Sequence, residues 1–275
     1  MQLRAYAKIN LSLKLLGKRP DDYHELESIM QSVSLYDLIT LTEVPAGIEL
    51  VTTNLRLPTD GKNLAYRAAE VFFKSQVRSP KSEVAGIKIY LEKNIPLAAG
   101  LAGGSADAAA VLYGLNKMSG NPFAPHDLSD LGAMIGSDVP FCLKGGNCTA
   151  TGRGECVRRN PLHVARDYVL VVPDVEVSTK WAYEEWDHQN SIFKDQSSKN
   201  DLEPVVIKRY PIIQKVKDKL KELGCGFTQM SGSGPSVFGV VNSPEQGERI
   251  AAEMKKTYSR SYFVQSTDAG VEEVL

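Results

Sequence analysis

The chain runs to 275 residues, 43% of them apolar and 24% charged, with a formal net charge of −1. That length exceeds the roughly 100–200 residues of a usual single domain, and near-neutral charge without a Lys/Arg block argues against a broad nucleic-acid or anionic-membrane surface. No apolar run reaches the roughly 18 residues that cross a bilayer, and Cys142, Cys148, Cys156 and Cys225 form neither a CxxC pair nor a zinc spacing, so with no signal peptide at the start they are expected as reduced thiols in the cytoplasm.

Leu3, Ala5, Ala7, Ile9, Leu11, Leu13 and Leu15 occupy every odd position of the first fifteen residues, with Gln2, Arg4, Tyr6, Lys8, Asn10, Ser12 and Lys14 between them. Strict period two predicts a strand with one face on a core and the other toward solvent or a cleft. Pro20-Asp21-Asp22 predicts a turn, and strand-like pieces follow over 35–41 and 48–52. A helix is expected from Asn63 to about Ser75, with Leu64, Ala68, Val71 and Phe72 along one stripe. Ile87, Ile89 and Leu91 alternate with polar neighbours, a strand that leads into Asn94-Ile95-Pro96. After Gly100-Leu-Ala-Gly-Gly-Ser-Ala106 comes an alanine-rich helix from about Ala106 to Met118, closed by Gly120, and then a helix over 125–135 that ends at Gly136.

Glycines at 145, 146, 152 and 154 punctuate strands near residue 150. The second half opens on a buried strand over 168–172, and the polar stretch 188–200 is expected as a mobile loop. A helix over 212–223, strands at 227–230 and 236–241 on either side of Ser231-Gly-Ser-Gly234, and a helix over 245–257 complete a pattern resembling a split βαβ sandwich. Two domains are expected, over 1–160 and 161–275.

The loop at 100–106 bridges a strand and a helix, so loop amides and the unpaired N–H groups of the helix start can converge on an anion. Glycines let the backbone approach phosphate oxygens without an intervening Cβ. No Lys-Ser/Thr pair follows them, which excludes a Walker loop, and GxGxxG does not fit either. A tight strand-helix turn packed on a neighbour would look the same. Lys8 and Asn10 project from one strand face; Asp138, after Gly136-Ser137, by itself reads as a helix N-cap. Tyr23-His24 is either an exposed turn pair or a ligand-stacking pair, and Ser231-Gly-Ser-Gly234 either a second anion nest or a hairpin of small residues.

In order, Tyr6-Ala-Lys-Ile-Asn-Leu11, Asp22-Tyr-His-Glu-Leu26, the run from Ile95 to Ala109, Gly136-Ser-Asp-Val-Pro-Phe141 and Met230-Ser-Gly-Ser-Gly-Pro235 resemble the motif series of the GHMP kinase superfamily over nearly the whole chain. Within it the first two motifs are similar to those of the members that phosphorylate 4-diphosphocytidyl-2-C-methyl-D-erythritol. The resemblance implies an α+β, two-domain GHMP kinase fold: an N-terminal domain like ribosomal protein S5 domain 2 and a C-terminal ferredoxin-like domain, with ATP and a small-molecule substrate in the cleft between them. It implies that Lys8 and Asp138 are the catalytic pair. It also implies that Pro96, Leu97, Ala98, Ala99, Gly100, Leu101, Ala102, Gly103, Gly104, Ser105 and Ala106 form the ATP phosphate loop, with Asn63 and Lys93 as further nucleotide contacts. Asn10, Tyr23 and His24 fall on the substrate side, the aromatic pair near the cytosine. Mg²⁺ is implied with ATP, and no metal ligand is assigned. Tyr6 stands where proline is commoner, and Ala102 and Ala106 stand where many members have Gly and Ser, which restricts the loop slightly and leaves Ser105 as the hydroxyl to contact phosphate or Mg²⁺. A superfamily member acting on homoserine, mevalonate or a sugar, and a catalytically silent metabolite sensor, remain as alternatives at this point.

Overall fold

The computed structural model describes residues 1–76, 84–161, 165–189 and 199–274. Two sheets organise it. The first carries β1 (Gln2–Lys18), β2 (His24–Glu43), β3 (Gly47–Thr52), β4 (Gly86–Glu92), β5 (Asn147–Gly152) and β6 (Cys156–Arg159). The 20-residue β2 pairs with β1 along its length and then forks, with residues 26–31 bonded to β5 and 38–43 to β4. Helices α1 (Leu64–Gln76), α2 (Gly103–Met118), α3 (Pro125–Ile135) and α4 (Val139–Lys144) complete this half. Small side chains let α2 sit close on the sheet: a Cβ at Gly114 would fall 2.4 Å from Leu41 Cδ1 and 2.8 Å from Leu3 Cδ1.

The second half contains β7 (Asp167–Val171), α5 (Thr179–Gln189), α6 (Glu203–Arg209), α7 (Ile212–Glu222), β8 (Thr228–Met230), β9 (Val237–Val241), α8 (Pro244–Lys255) and β10 (Ser261–Gln265). Its antiparallel sheet has the order β10-β7-β9-β8, as a split βαβ arrangement requires. The last strand, β11 (Val271–Glu273), leaves this half and pairs with β1 at the edge of the first sheet. Both faces of β7 are buried. Val169 and Val171 pack with the helices of their own half, whereas Tyr168 and Leu170 join the core of the first half, which is why the segment is apolar throughout rather than alternating.

A bulge in β1 positions the cleft. Asn10 pairs with Met30 and Ser12 with Ile29, so Leu11 is an extra residue and the parity of the strand inverts there. Leu3, Ala5, Ala7 and Ile9 lie in the first core; Leu13 and Leu15, odd like them, turn to the face of Lys8 and Asn10 and enter the second core. The stretch expected as a mobile loop lies, over 190–198, outside the described residues. No helix among the described residues is long and apolar enough to cross a membrane.

Candidate active site

The turn between β4 and α2 forms one wall of a cleft of about 980 Å³ between the two halves. Ala98, Gly100 and Ala102 have φ of 49°, 73° and 56°, with the residues between them on the other side of the map. Such alternation aims successive N–H groups to one side and makes an anion nest. Helix α2 starts at Gly103, three residues before the expected position, and no side chain caps it. The Ala106 N–H donates to Ala102 O at 2.9 Å, while the N–H groups of Gly103, Gly104 and Ser105 precede the first helical hydrogen bond.

The second glycine motif braces this turn. Ser231 Oγ donates to Gly100 O at 3.0 Å and accepts from Asn10 N at 3.1 Å, and Ser236 N donates to Ala99 O at 3.3 Å. Asn200, just beyond the undescribed stretch, donates from Nδ2 to both Met230 O and Gly232 O, at 2.9 and 2.8 Å. The Ser231–Gly234 turn is therefore a fixed edge of the cleft, with Gly232 and Ser233 on its lining.

Lys8 lies on the floor, and its side chain is only 5% exposed. Its ammonium donates to Asn10 Oδ1 at 2.6 Å and stands 3.6 Å from Asp138 Oδ2. Asp138 occupies the N-cap position of α4, but its carboxylate makes no cap hydrogen bond and faces Lys8 instead. The N-cap role suggested by local sequence is thus only positional. Asn10 lines the cleft with its amide engaged at both ends, since Nδ2 donates to Ser28 Oγ at 2.8 Å.

At the far end, the His24 ring is nearly buried. Its Nε2 is 2.7 Å from Asp187 Oδ1, and its ring centre is 5.0 Å from that of Tyr183 and 5.8 Å from that of Trp186. Tyr23 is half exposed to the cleft, with the Arg153 guanidinium 4.8 Å from its ring centre. Burial, and then the charge of Asp138, push the Tyr183 phenol well above its usual value, so it stays a neutral hydroxyl. One cleft therefore joins an anion-binding turn, a lysine–carboxylate pair and an aromatic pocket suited to a flat ring.

Comparison with known proteins agrees with that combination. Residues 63–146 match the GHMP kinases N terminal domain, and residues 187–260 match the GHMP kinases C terminal domain. The 4-diphosphocytidyl-2-C-methyl-D-erythritol kinase of Desulfitobacterium hafniense is 43% identical over 283 residues, covering 96% of this chain and 94% of that one. The kinase of the same name from Clostridium acetobutylicum is 38% identical, covering 97% and 100%. This chain belongs to the GHMP kinases, in their 4-diphosphocytidyl-2-C-methyl-D-erythritol kinase branch. The crystal structure of a 4-(cytidine 5'-diphospho)-2C-methyl-D-erythritol kinase superimposes with a TM-score of 0.82 at 30% identity, over 97% of this chain and 99% of that one. The fold extends to a homoserine kinase from Cytophaga hutchinsonii, with a TM-score of 0.73 at 22% identity over 100% and 97% of the chains.

Against the site expected of a GHMP kinase, the structure brings Lys8, Asn10, Tyr23, His24, Asp138 and every loop residue from Pro96 to Ser105 to the cleft lining. Three expected nucleotide contacts are buried or engaged within the protein. Asn63 is nearly buried, and its amide serves α1: Nδ2 donates to Pro58 O and Oδ1 accepts from Ala65 N, both at 2.9 Å. Ala106 is fully buried inside α2 because the helix begins earlier than expected. Lys93 borders the cleft, and its ammonium is held by Asp37 and Asp107. Sequence reading missed Ser137, Arg153, Thr179, Tyr183 and Asp187, all on the lining. The available signal was the aromatic-rich run Trp181-Ala-Tyr-Glu-Glu-Trp-Asp187, whose helical spacing sets Tyr183, Trp186 and Asp187 on one face.

Proposed function

We propose that the protein transfers the γ-phosphoryl group of ATP to the 2-hydroxyl of 4-diphosphocytidyl-2-C-methyl-D-erythritol, a step of the methylerythritol phosphate pathway to isoprenoid precursors. The observation that carries this reading is the Lys8–Asp138 pair, 3.6 Å apart, placed in one cleft with the bare start of α2 and the Tyr23–His24–Tyr183 pocket. Phosphoryl transfer asks for in-line placement and charge stabilisation more than covalent chemistry. The N–H groups of the 98–105 turn hold the phosphates. Asp138 accepts the proton of the substrate hydroxyl as it attacks. Lys8, oriented by Asn10, offsets the negative charge that develops, and the aromatic pocket takes the cytosine, whose remote binding energy places the hydroxyl.

Mg²⁺ fits this cleft as a companion of the nucleotide. The described residues hold no group of three or more His, Cys, Asp or Glu suited to a metal, and such an ion usually keeps its waters and substrate phosphates as ligands. Asp138, two residues beyond the Gly136 that lies against Ser105, is the carboxylate on that side. When bound, the ion supplies charge neutralisation to the phosphates. A cytoplasmic location belongs to the same proposal.

The test is an ADP-release assay with 4-diphosphocytidyl-2-C-methyl-D-erythritol, methylerythritol 4-phosphate, homoserine, mevalonate and galactose as acceptors. The reading requires turnover of the first and at most weak turnover of the second. Preference for homoserine, mevalonate or galactose overturns the substrate, and no ATP consumption with any acceptor overturns the enzyme.

A further inference from the structure

Behind the phosphate-binding turn lies an ionic cluster that the proposed reaction does not use. Lys93 follows β4, Asp37 lies on β2 and Asp107 on the second turn of α2; their side chains are 2%, 0% and 3% exposed. The Lys93 ammonium is 2.5 Å from Asp37 Oδ2 and 2.8 Å from Asp107 Oδ2. Asp37 has two further donors on Oδ1, the backbone N–H of Asn94 at 2.6 Å and of Ile95 at 2.8 Å. Asp107 has no such help: its Oδ1 is buried without a hydrogen-bond partner among the described residues. From α4 the group that senses Asp107 is the Cys142 thiol, buried and held neutral first by that burial.

Two carboxyl groups thus share one ammonium in a buried site. Fully ionised, the cluster would keep an uncompensated negative charge out of water, which proteins avoid by shifting a proton. That charge would also lie against the start of α2, since a Cβ on Gly103 would be 3.2 Å from the Lys93 ammonium. An anion there opposes the positive helix end on which phosphate binding depends. Three donors satisfy a charge on Asp37, whereas one donor and a bare oxygen do not satisfy a charge on Asp107, so the surplus proton belongs to Asp107.

We propose that Asp107 is held as a neutral acid, which balances the charge of the cluster, and that Lys93, fixed between Asp37 and Asp107, positions the start of α2 behind the phosphate site. Burial pushes the Asp107 carboxyl well above the usual carboxylate range; Lys93 draws it down, and Asp37 pushes it further up. Burial alone would lower the Lys93 ammonium, but the two carboxyl groups beside it, Asp107 and Asp37, outweigh burial and raise it, so Lys93 stays charged. Lys93 and Asp107 are positioning residues here, acting on ATP only through the turn.

Asp107→Asn reproduces the neutral acid in shape and keeps an oxygen for Lys93, so it separates the possibilities. A carboxyl raised in the folded state releases its proton on unfolding, so its stabilisation fades as pH climbs above the ordinary carboxylate range. Chemical denaturation from about pH 5 upward should show the unfolding constant of the natural protein rising roughly tenfold per pH unit relative to D107N, until the folded value is reached. Parallel pH dependences for the two proteins overturn the neutral acid. This measurement needs no substrate and survives any failure of the proposed function.

The positioning role rests on the phosphate reading of the turn and is read in kinetics. Asp107→Ala removes one partner of Lys93 and should raise KM for ATP on the order of 10-fold or more, with KM for the cytidyl acceptor within about 2-fold. D107N should restore KM for ATP. An unmoved KM for ATP in D107A, or equal damage in D107A and D107N, overturns the positioning role.

Discussion

Gly100 is where the phosphate turn of one half meets the second glycine motif of the other. Its φ of 73° lies in the left-handed region, and a Cβ there would stand 2.4 Å from Ser231 O and 3.0 Å from Gly234 O. Both obstacles are backbone atoms, so neither can rotate away, and ordinary contact at 3.4 Å demands that the turn retreat by about 1 Å. Gly100→Ala therefore adds backbone strain of roughly 1–3 kcal/mol and also moves the phosphate-binding amides. A displacement of about 1 Å is enough to cost on the order of 10²-fold in rate, or about 2.7 kcal/mol of transition-state stabilisation. Steady-state kinetics should show kcat/KM for ATP falling by about that factor, while isothermal titration of the cytidyl substrate stays within roughly 3-fold. Normal ATP kinetics in a folded G100A protein would refute the reasoning, because either the contact or the phosphate role of the turn would then be wrong. Equal weakening of both ligands, with a lowered Tm, would point to general damage.

Three further outcomes are expected. Asp138→Asn leaves the α4 backbone bond from Cys142 N to Asp138 O intact and should lower kcat by at least ~10²-fold at unchanged Tm; near-normal turnover removes Asp138 from proton transfer. Tyr23→Ala and Tyr183→Ala should each raise KM for the cytidyl substrate by the ~1–3 kcal/mol of a lost base stack, with KM for ATP within about 2-fold, and equal shifts in both KM values would reject the base pocket. Burial raises Cys142 well above the usual thiol value, with the Asp138 charge adding to it, raises Cys148, and takes Cys225 up to about 11. Iodoacetamide at about pH 8 should therefore label only the exposed Cys156 in the native protein, since the thiolate is the reactive form; mass spectrometry that finds adducts on Cys142 or Cys225 before unfolding contradicts this.

Sequence alone determined the elements whose signals are local. Alternation along residues 3–9, the stripe from Leu64 to Phe72 and the glycine stops at 120, 136 and 224 each follow from backbone geometry, and the strands and helices they imply stand where expected. The linear motifs also carried the family and most of the cleft lining, because the turn residues proposed to hold the phosphates are contiguous. Only the tertiary structure decided the rest. The Leu11 bulge leaves no mark in a pattern of period two, yet it sends Leu13 and Leu15 into the other core and so sets the two halves on either side of Lys8. Helix α2 begins on glycines, which propensity disfavours, because its first N–H groups have no helical partner to lose and the turn packs against Ser231–Gly234. The Lys93 ammonium is taken by Asp37 and Asp107, which only folding brings near, whereas the Asn63 amide is taken locally, by Pro58 and Ala65. Asp187 reaches His24 across 163 residues of chain. A hydrogen bond or an ion pair is fixed by distance in space, and spacing along the chain reports that distance only within one helix turn or one strand.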